Sequence, residues 1–201
     1  MTGMKNNSFE EIWNKILSAE RILMSLHNGP DGDSFGSCLA VKYVLENMGK
    51  NVTLISYDKL SDALQEMSFA KEIEFGKDIL DFDLKDFDLL FCVDTAVPRM
   101  IGKYKENYSV GDGVFVINID HHPTNSRYAN LNYVKEDAPS ACSVLIELFK
   151  FAKVKFDSEL STRLLLGLCT DSGFFTFAAT ADTALREANF LINCGGKYAE
   201  R

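Results

Sequence analysis

The chain has 201 residues, 46% of them hydrophobic and 25% charged, the make-up of a soluble globular protein able to bury a real core in one domain. Its formal net charge of −8 argues against a basic surface that grips long double-stranded DNA, but leaves room for short phosphorylated substrates whose charge is met by metal ions. No stretch reaches membrane-spanning length and Met1–Glu10 holds no apolar segment of a secretory signal, so a cytoplasmic protein without a membrane partner is expected.

Ser8-Phe9-Glu10-Glu11 is a capping box, and Ile12, Ile16 and Leu17 recur at helical spacing, which predicts a helix to about Glu20. Arg21–Leu26 is the first predicted strand. It runs into His27-Asn28-Gly29-Pro30-Asp31-Gly32-Asp33, where the Asn-Gly-Pro and Asp-Gly steps mark a tight turn. Ser34–Met48 has helical periodicity in Leu39, Val41, Val44, Leu45 and Met48, and Gly49 is a natural stop. A turn carrying one imidazole and two carboxylates therefore leads into a helix N-terminus. No G-x-x-x-x-G-K or G-x-G-x-x-G cradle is present, which sets P-loop and dinucleotide-binding sites aside.

Asn51–Tyr57 is a second strand, Asp58–Phe75 reads as helix and loop, and the acidic, alternating Asp78–Asp86 suggests no chemistry. Asp88–Val93 is a buried strand ending in Asp94-Thr95. Pro98 then opens a predicted helix that brings Arg99, a candidate phosphate ligand, near the strand end. Val114–Ile119 is short, β-branched and bounded by Gly111, Gly113 and Pro123, which predicts another buried strand. At its carboxyl end stand Asp120, His121 and His122. Asn125–Asp137 is a loop or short strand. Pro139–Lys150 is a helix with Val144, Leu145, Leu148 and Phe149 on its apolar face. A leucine-rich helix, Ser158–Cys169, runs out into Asp171, and a carboxylate at a helix C-terminus is unfavourable unless a cation compensates it. Asp182 begins a last helix that stops near Gly195-Gly196. The five cysteines (Cys38, Cys92, Cys142, Cys169, Cys194) form no C-x-x-C and read as small hydrophobes in a reducing compartment.

Strands alternating with helices predict an α/β fold, a mainly parallel sheet flanked by helices on both faces. Ligands of such sheets bind at the carboxyl ends of the strands, and that is where all three histidines stand, each beside aspartates. The collected groups are His27, Asp31, Asp33, Asp94, Asp120, His121, His122 and Asp171. Imidazole and carboxylate without thiolate suit Mn²⁺, Mg²⁺ or Co²⁺ better than a structural zinc. They are too many for one ion and fit two, which at about 3.5–4 Å apart would clamp an in-line phosphoryl displacement.

His27-x3-Asp31-x-Asp33, strand-end Asp94, Asp120-His121-His122 and Asp171 resemble, in order and approximate spacing, the four motifs of the DHH phosphoesterase superfamily. The nearest likeness is to the bacterial nanoRNase group, which acts on very short RNA and on 3′-phosphoadenosine 5′-phosphate. Asp94-Thr95 followed by Arg99, the run His121-His122-Pro123-Thr124-Asn125, and Gly167-x3-Asp171-Ser172-Gly173 also fit, so the resemblance covers about residues 10 to 196.

The resemblance implies a Rossmann-like domain with two Mn²⁺ ions. His27, Asp31 and Asp94 would hold one ion; Asp33, Asp94, His121 and Asp171 would hold the other, with Asp94 bridging. His122 would contact the scissile phosphate and assist proton transfer, Asp120 would orient the histidines, and Arg99 would help bind phosphate. Ser172 stands where relatives often have threonine, which keeps the hydroxyl. Residues 1–196 would be the catalytic domain. Residues 197–201 would begin a linker to a substrate-binding domain of the DHHA1 type, which this chain does not contain; it has no histidine after His122.

The implied activity is hydrolysis of short oligoribonucleotides, of 3′-phosphoadenosine 5′-phosphate, or of both. Cyclic dinucleotide phosphodiesterase and inorganic pyrophosphatase are the alternatives within the class. The partners would be short RNA or a nucleotide, and the resemblance admits a homodimer. The competing reading from another class is a non-catalytic module that binds metal or nucleotide. The intact ligand set counts against it, because clustered carboxylates repel one another without a cation.

Overall fold

A computed structural model describes residues 5–102, 113–177 and 181–198. Gly111 and residues 199–201 lie outside these. The capping box forms as the sequence predicts: Ser8 N–H donates to Glu11 Oε2 at 2.7 Å and Glu11 N–H to Ser8 Oγ at 3.2 Å, opening helix α1 (Phe9–Ser18). Strand β1 (Arg21–Ser25) follows, then α2 (Gly32–Asn47), β2 (Asn51–Ser56), a short helix α3 (Asp62–Gln65) and a two-residue strand β3 (Glu74–Phe75). β4 (Leu89–Val93), β5 (Val116–Asp120) and β6 (Leu131–Val134) complete the sheet, and α4 (Ala141–Phe151), α5 (Ser158–Asp171) and α6 (Ala181–Asn193) follow.

The six strands form one parallel sheet in the order β3-β2-β1-β4-β5-β6. A parallel sheet is covered on both faces, which is why β4 (LLFCV) is buried along its whole length. Ile22, Met24, Phe91, Val93, Ile117 and Ile119 face the larger core, to which α1, α2, α4, α5 and α6 contribute. Leu23, Ile55, Leu90, Cys92 and Val116 face a second core. Among the described residues, two 3-10 helices, Ile79–Asp81 and Leu84–Asp86, cover that second face through Ile79 and Leu84. Among the described residues the cover is thus α-helical on one face and 3-10 on the other.

The chain builds outward through β1, β2 and β3, then returns beside β1 and builds the other way through β4, β5 and β6. The reversal falls between β1 and β4, and in open α/β sheets this point opens a crevice at the carboxyl ends. Register places the loop residues in a row: Leu23 pairs with Leu90, Val93 with Ile119, and Asp94 N–H donates to Ile119 O at 3.0 Å.

Three elements differ from the sequence reading. The segment 58–75 ends in the edge strand β3, too short to show a period. The helix expected from Pro98 is a single 3-10 turn, Pro98–Met100, closed by Gly102 at φ +81°. Helix α2 begins at Gly32 because Asp31, not a later residue, is its N-cap.

Helices α2 and α5 cross closely at two glycines. A Cβ on Gly36 would lie 2.5 Å from Arg163 O, and one on Gly167 would lie 2.4 Å from Cys142 Sγ and 2.7 Å from Asp33 Oδ1. The second glycine therefore makes the space in which Asp33 sits. All five cysteines are free; Cys38, Cys92 and Cys142 are buried.

Candidate metal centre

The first group forms where β1 meets α2. His27 is buried, and its Nδ1 lies 2.9 Å from Asn28 O, an acceptor only, so Nδ1 carries a proton and Nε2 is turned the other way. Nε2 lies 3.6 Å from Asp31 Oδ1 and 3.5 Å from Asp94 Oδ2. Asp31 is held by its capping role, its Oδ1 accepting from Asp33 N–H and Ser34 N–H, each at 3.0 Å. Burial works against a charged His27 ring, but the carboxylates of Asp31 and Asp94 outweigh it and push the pKa up to about 10. In the metal-free protein a proton thus stands where a cation would.

Asp94 follows β4 in a left-handed conformation, φ +58°, which aspartate tolerates better than most side chains. It is 1% exposed. Among the described residues its buried Oδ1 has no hydrogen-bond partner; it lies 3.6 Å from His121 Nε2 and 3.5 Å from His122 Nδ1. Both carboxylate oxygens therefore face ring nitrogens at more than hydrogen-bond length.

The second group joins α2, β5 and α5. Asp33 is 1% exposed and accepts from the first amides of α4: Ala141 N–H at 2.6 Å and Cys142 N–H at 3.0 Å. A helix N-terminus favours that charge, yet burial and the nearby Asp94 and Asp171 carboxylates raise its pKa well above the usual range. Asp171, the last residue of α5, is raised too, first by burial, and His121 works against the rise. His121 Nε2 lies 3.3 Å from Asp171 Oδ2 and 3.9 Å from Asp33 Oδ2, while its Nδ1 faces Ala138 O at 3.3 Å.

Asp120 belongs to neither of these two groups but adjoins them through His121 and His122. It is fully buried, and its Oδ1 accepts from His121 N–H and from His122 Nδ1, both at 2.8 Å. Burial raises its pKa, but hydrogen bonds from His122 and Asn125 more than offset this and hold it low. Asp120 in turn pushes His122 up to about 9. The His122 side chain is 37% exposed.

Do these residues fit a divalent cation? The Asp94 Oδ1, the ring nitrogens set 3.3–3.9 Å from carboxylates, and the buried Asp33 and half-buried Asp171 carboxylates, which resist ionising together, all describe a centre suited to a positive charge. The donors are oxygen and imidazole nitrogen. Among the described residues three sets could hold an ion, with the ligand atoms of each set within 4.8 Å of one another: His27-Asp31-Asp94, Asp33-His121-Asp171, and Asp94-Asp120-His121-His122. The thiols of Cys38, Cys92 and Cys142 are pushed up by burial, Cys92 to about 12, and stay protonated.

All eight histidines and aspartates singled out in the sequence are brought together. Arg99 is exposed on its 3-10 turn, and Asn28 joins the backbone carbonyls around that turn to the site. Asn28 N–H donates to Met100 O at 2.6 Å, and Asn28 Nδ2 to Gly102 O at 3.0 Å. Asn28 and Asn118 are given no role in the sequence reading, and Asn125 enters it only as the end of the run His121–Asn125, also without a role. Asn118 did leave a signal, as the one polar residue inside the strand VINI. Asn28 and Asn125 sit in turns, where asparagine is ordinary.

The family described as DHH family, N-terminal domain, matches residues 21–168. The bifunctional oligoribonuclease and PAP phosphatase NrnA of Thermus thermophilus is 32% identical over 180 residues, covering 89% of this chain and 52% of that protein. The probable bifunctional oligoribonuclease and PAP phosphatase NrnA of Streptococcus mutans is 28% identical over 197 residues, covering 96% and 58%. The chain thus spans about half the length of these curated relatives. In fold it is like an exopolyphosphatase-related protein from Bacteroides fragilis, with a TM-score of 0.81 at 21% identity over 94% of this chain and 57% of that one.

Proposed function

The chain belongs to the DHH family, and from that premise we propose that it is a metal-dependent phosphoesterase that hydrolyses short oligoribonucleotides and 3′-phosphoadenosine 5′-phosphate. The observation that carries the reading is Asp94, whose buried, unpartnered Oδ1 and His27-facing Oδ2 lie between two groups of potential ligands. His27, Asp31 and Asp94 would hold one cation, and Asp33, Asp94, His121 and Asp171 a second, with Mn²⁺ the first choice. Bound divalent cations would supply Lewis-acid stabilisation of phosphoryl oxygens and acidify water.

The remaining work belongs to the chain's own side chains. His122 is tied to Asp120 through Nδ1, which leaves Nε2 for a phosphate oxygen and for handing a proton to the departing alkoxide. Asp120 keeps that ring oriented and its charge balanced. Arg99, on the rim, would meet a phosphate with a charge-assisted hydrogen bond. In this reading residues 1–196 are the catalytic domain, and 197–201 lead toward a substrate-binding domain. A cytoplasmic location accords with five free cysteines and with the finding that no helix among the described residues is long and apolar enough to cross a membrane.

The test is Mn²⁺-dependent hydrolysis of an RNA dinucleotide, 3′-phosphoadenosine 5′-phosphate, cyclic di-AMP and pyrophosphate. Turnover of either of the first two, abolished by chelator, supports the proposal. Preference for cyclic di-AMP or pyrophosphate would replace the substrate assignment. Manganese bound with no turnover, in this chain and in a longer one, would favour a non-catalytic module.

A further inference from the structure

We propose that Asn125 is a positioning residue for His122, acting through Asp120, and that it aims the imidazole at the leaving oxygen; the aim at a leaving oxygen rests on the phosphoesterase reading above. A fully buried carboxylate needs donors for both oxygens. Oδ1 of Asp120 is met by His121 N–H and His122 Nδ1. Among the described residues, Oδ2 is met by Asn125 Nδ2 at 2.6 Å.

The amide is oriented from several sides. Arg127 N–H donates to Asn125 Oδ1 at 2.6 Å, which fixes the oxygen end. Asn118 Oδ1 at 2.8 Å and Thr95 O at 3.2 Å accept from the nitrogen end. A flipped amide would set its oxygen against three acceptors and its NH₂ against a donor, so the orientation follows from the network. Arg127 holds φ +51°, a left-handed conformation uncommon outside glycine, to make its contact. Asn118, itself fully buried in β5, donates to Thr95 O at 3.1 Å. Asn125 therefore links the carboxylate that ends β5 to the residue beside Asp94 at the end of β4.

The consequence falls on His122. Its ring is more than a third exposed, and its Nδ1 has two carboxylate neighbours, Asp120 Oδ1 at 2.8 Å and Asp94 Oδ1 at 3.5 Å. With Asn125 present, Asp120 is held with Oδ1 toward the ring. Without it, Oδ2 is left buried and unpaired, the carboxylate turns to find a donor, and the ring is free to turn toward Asp94. That costs the aim of His122 at the leaving oxygen.

The experiment uses Asn125→Ala and the isosteric Asn125→Asp, which keeps the shape but places an acceptor where the donor is needed. Two esters of one nucleotide are compared, one with a ribose and one with a p-nitrophenolate leaving group; the second needs no proton. The expected result for both variants is a kcat about 10- to 100-fold lower on the ribose ester with KM within about 3-fold, and a loss under about 3-fold on the nitrophenyl ester. His122→Ala with Asn125→Ala should be no slower than His122→Ala alone. Equal losses on both esters, or additive losses in the double variant, would overturn the proposal. Nitrogen–proton NMR of the metal-free protein reads the same contact without turnover: the His122 Nδ1 proton should be seen in the wild type and shifted or lost in Asn125→Ala. If neither this chain nor a longer one hydrolyses anything with manganese bound, the phosphoesterase reading fails, and this spectrum decides the positioning claim; an unchanged His122 signal refutes it.

Discussion

Removing metal should make the stability of this protein fall as pH rises, and His27 sets the scale. Its side chain is 9% exposed, and two carboxylates act on it: Asp94, 2% exposed and little screened, and Asp31, 56% exposed and partly screened by solvent. They raise its pKa from the ordinary 6.5 to about 10. A group whose folded pKa is raised contributes stability that is complete below the unfolded pKa and gone above the folded one. Three and a half pH decades at about 1.4 kcal/mol each give about 5 kcal/mol as an order of magnitude. The lowered pKa of Asp31 is the same pair seen from its partner and adds nothing further. For a domain of this length about 2–4 °C of melting temperature goes with each kcal/mol, so Tm in chelator should drop by about 10–20 °C between pH 6.5 and 10. Asp33 and Asp171, also raised, act with the same sign and add to the decline from lower pH upward. The assay is thermal unfolding in EDTA across pH, with His27→Asn as control. Saturating Mn²⁺ should flatten the fall, because the cation takes the place of the proton. A level Tm in chelator, or the same fall in His27→Asn, would refute the reasoning.

Asp94→Ala should lower kcat/KM by about 10³-fold or more, the scale of losing a stabiliser of transition-state charge. Far-ultraviolet circular dichroism should stay unchanged and titration calorimetry should show weakened Mn²⁺ binding; full turnover would remove Asp94 from its bridging place. Gly167→Ala puts a methyl against Cys142 Sγ and Asp33 Oδ1, an overpacking that costs about 1–3 kcal/mol. It should appear as a lower Tm together with weaker metal binding, whereas a loss of stability alone would mean that Asp33 is not displaced. Arg99→Ala should raise KM about 10-fold with kcat nearly kept, as expected for about 1.5 kcal/mol of charge-assisted hydrogen bonding. An unchanged KM would leave Arg99 as an exposed turn residue.

Much of the fold is legible in the order of residues along the chain. The strands at 21–25, 89–93 and 116–120 are apolar runs because both faces of a parallel sheet are buried. The first helix is announced by Ser8 and Glu11. The edge pieces are harder to read. β3 is two residues long and β6 is a half-buried strand of four, and neither is long enough to stand out as a period. The turn at Pro98–Met100 carries a helix-opening proline, but Gly102 stops it after one turn.

The candidate site divides in the same way. That His27, Asp31, Asp94, Asp120, His121 and Asp171 stand at the ends of elements is local information, set by apolar runs and caps within a few residues of each, and the sequence alone determined it. Which of them meet is decided by strand order and register, which depend on burying both sheet faces between segments far apart in the chain. The reversal between β1 and β4 sets His27 beside Asp94, and the glycine-lined crossing of α2 and α5 brings Asp33 near Asp171. The left-handed backbone at Asp94 and the Asn125 amide that holds Asp120 likewise exist only in the folded molecule. A polar side chain in a turn looks the same in sequence whether it faces water or a buried carboxylate, and only tertiary packing distinguishes the two.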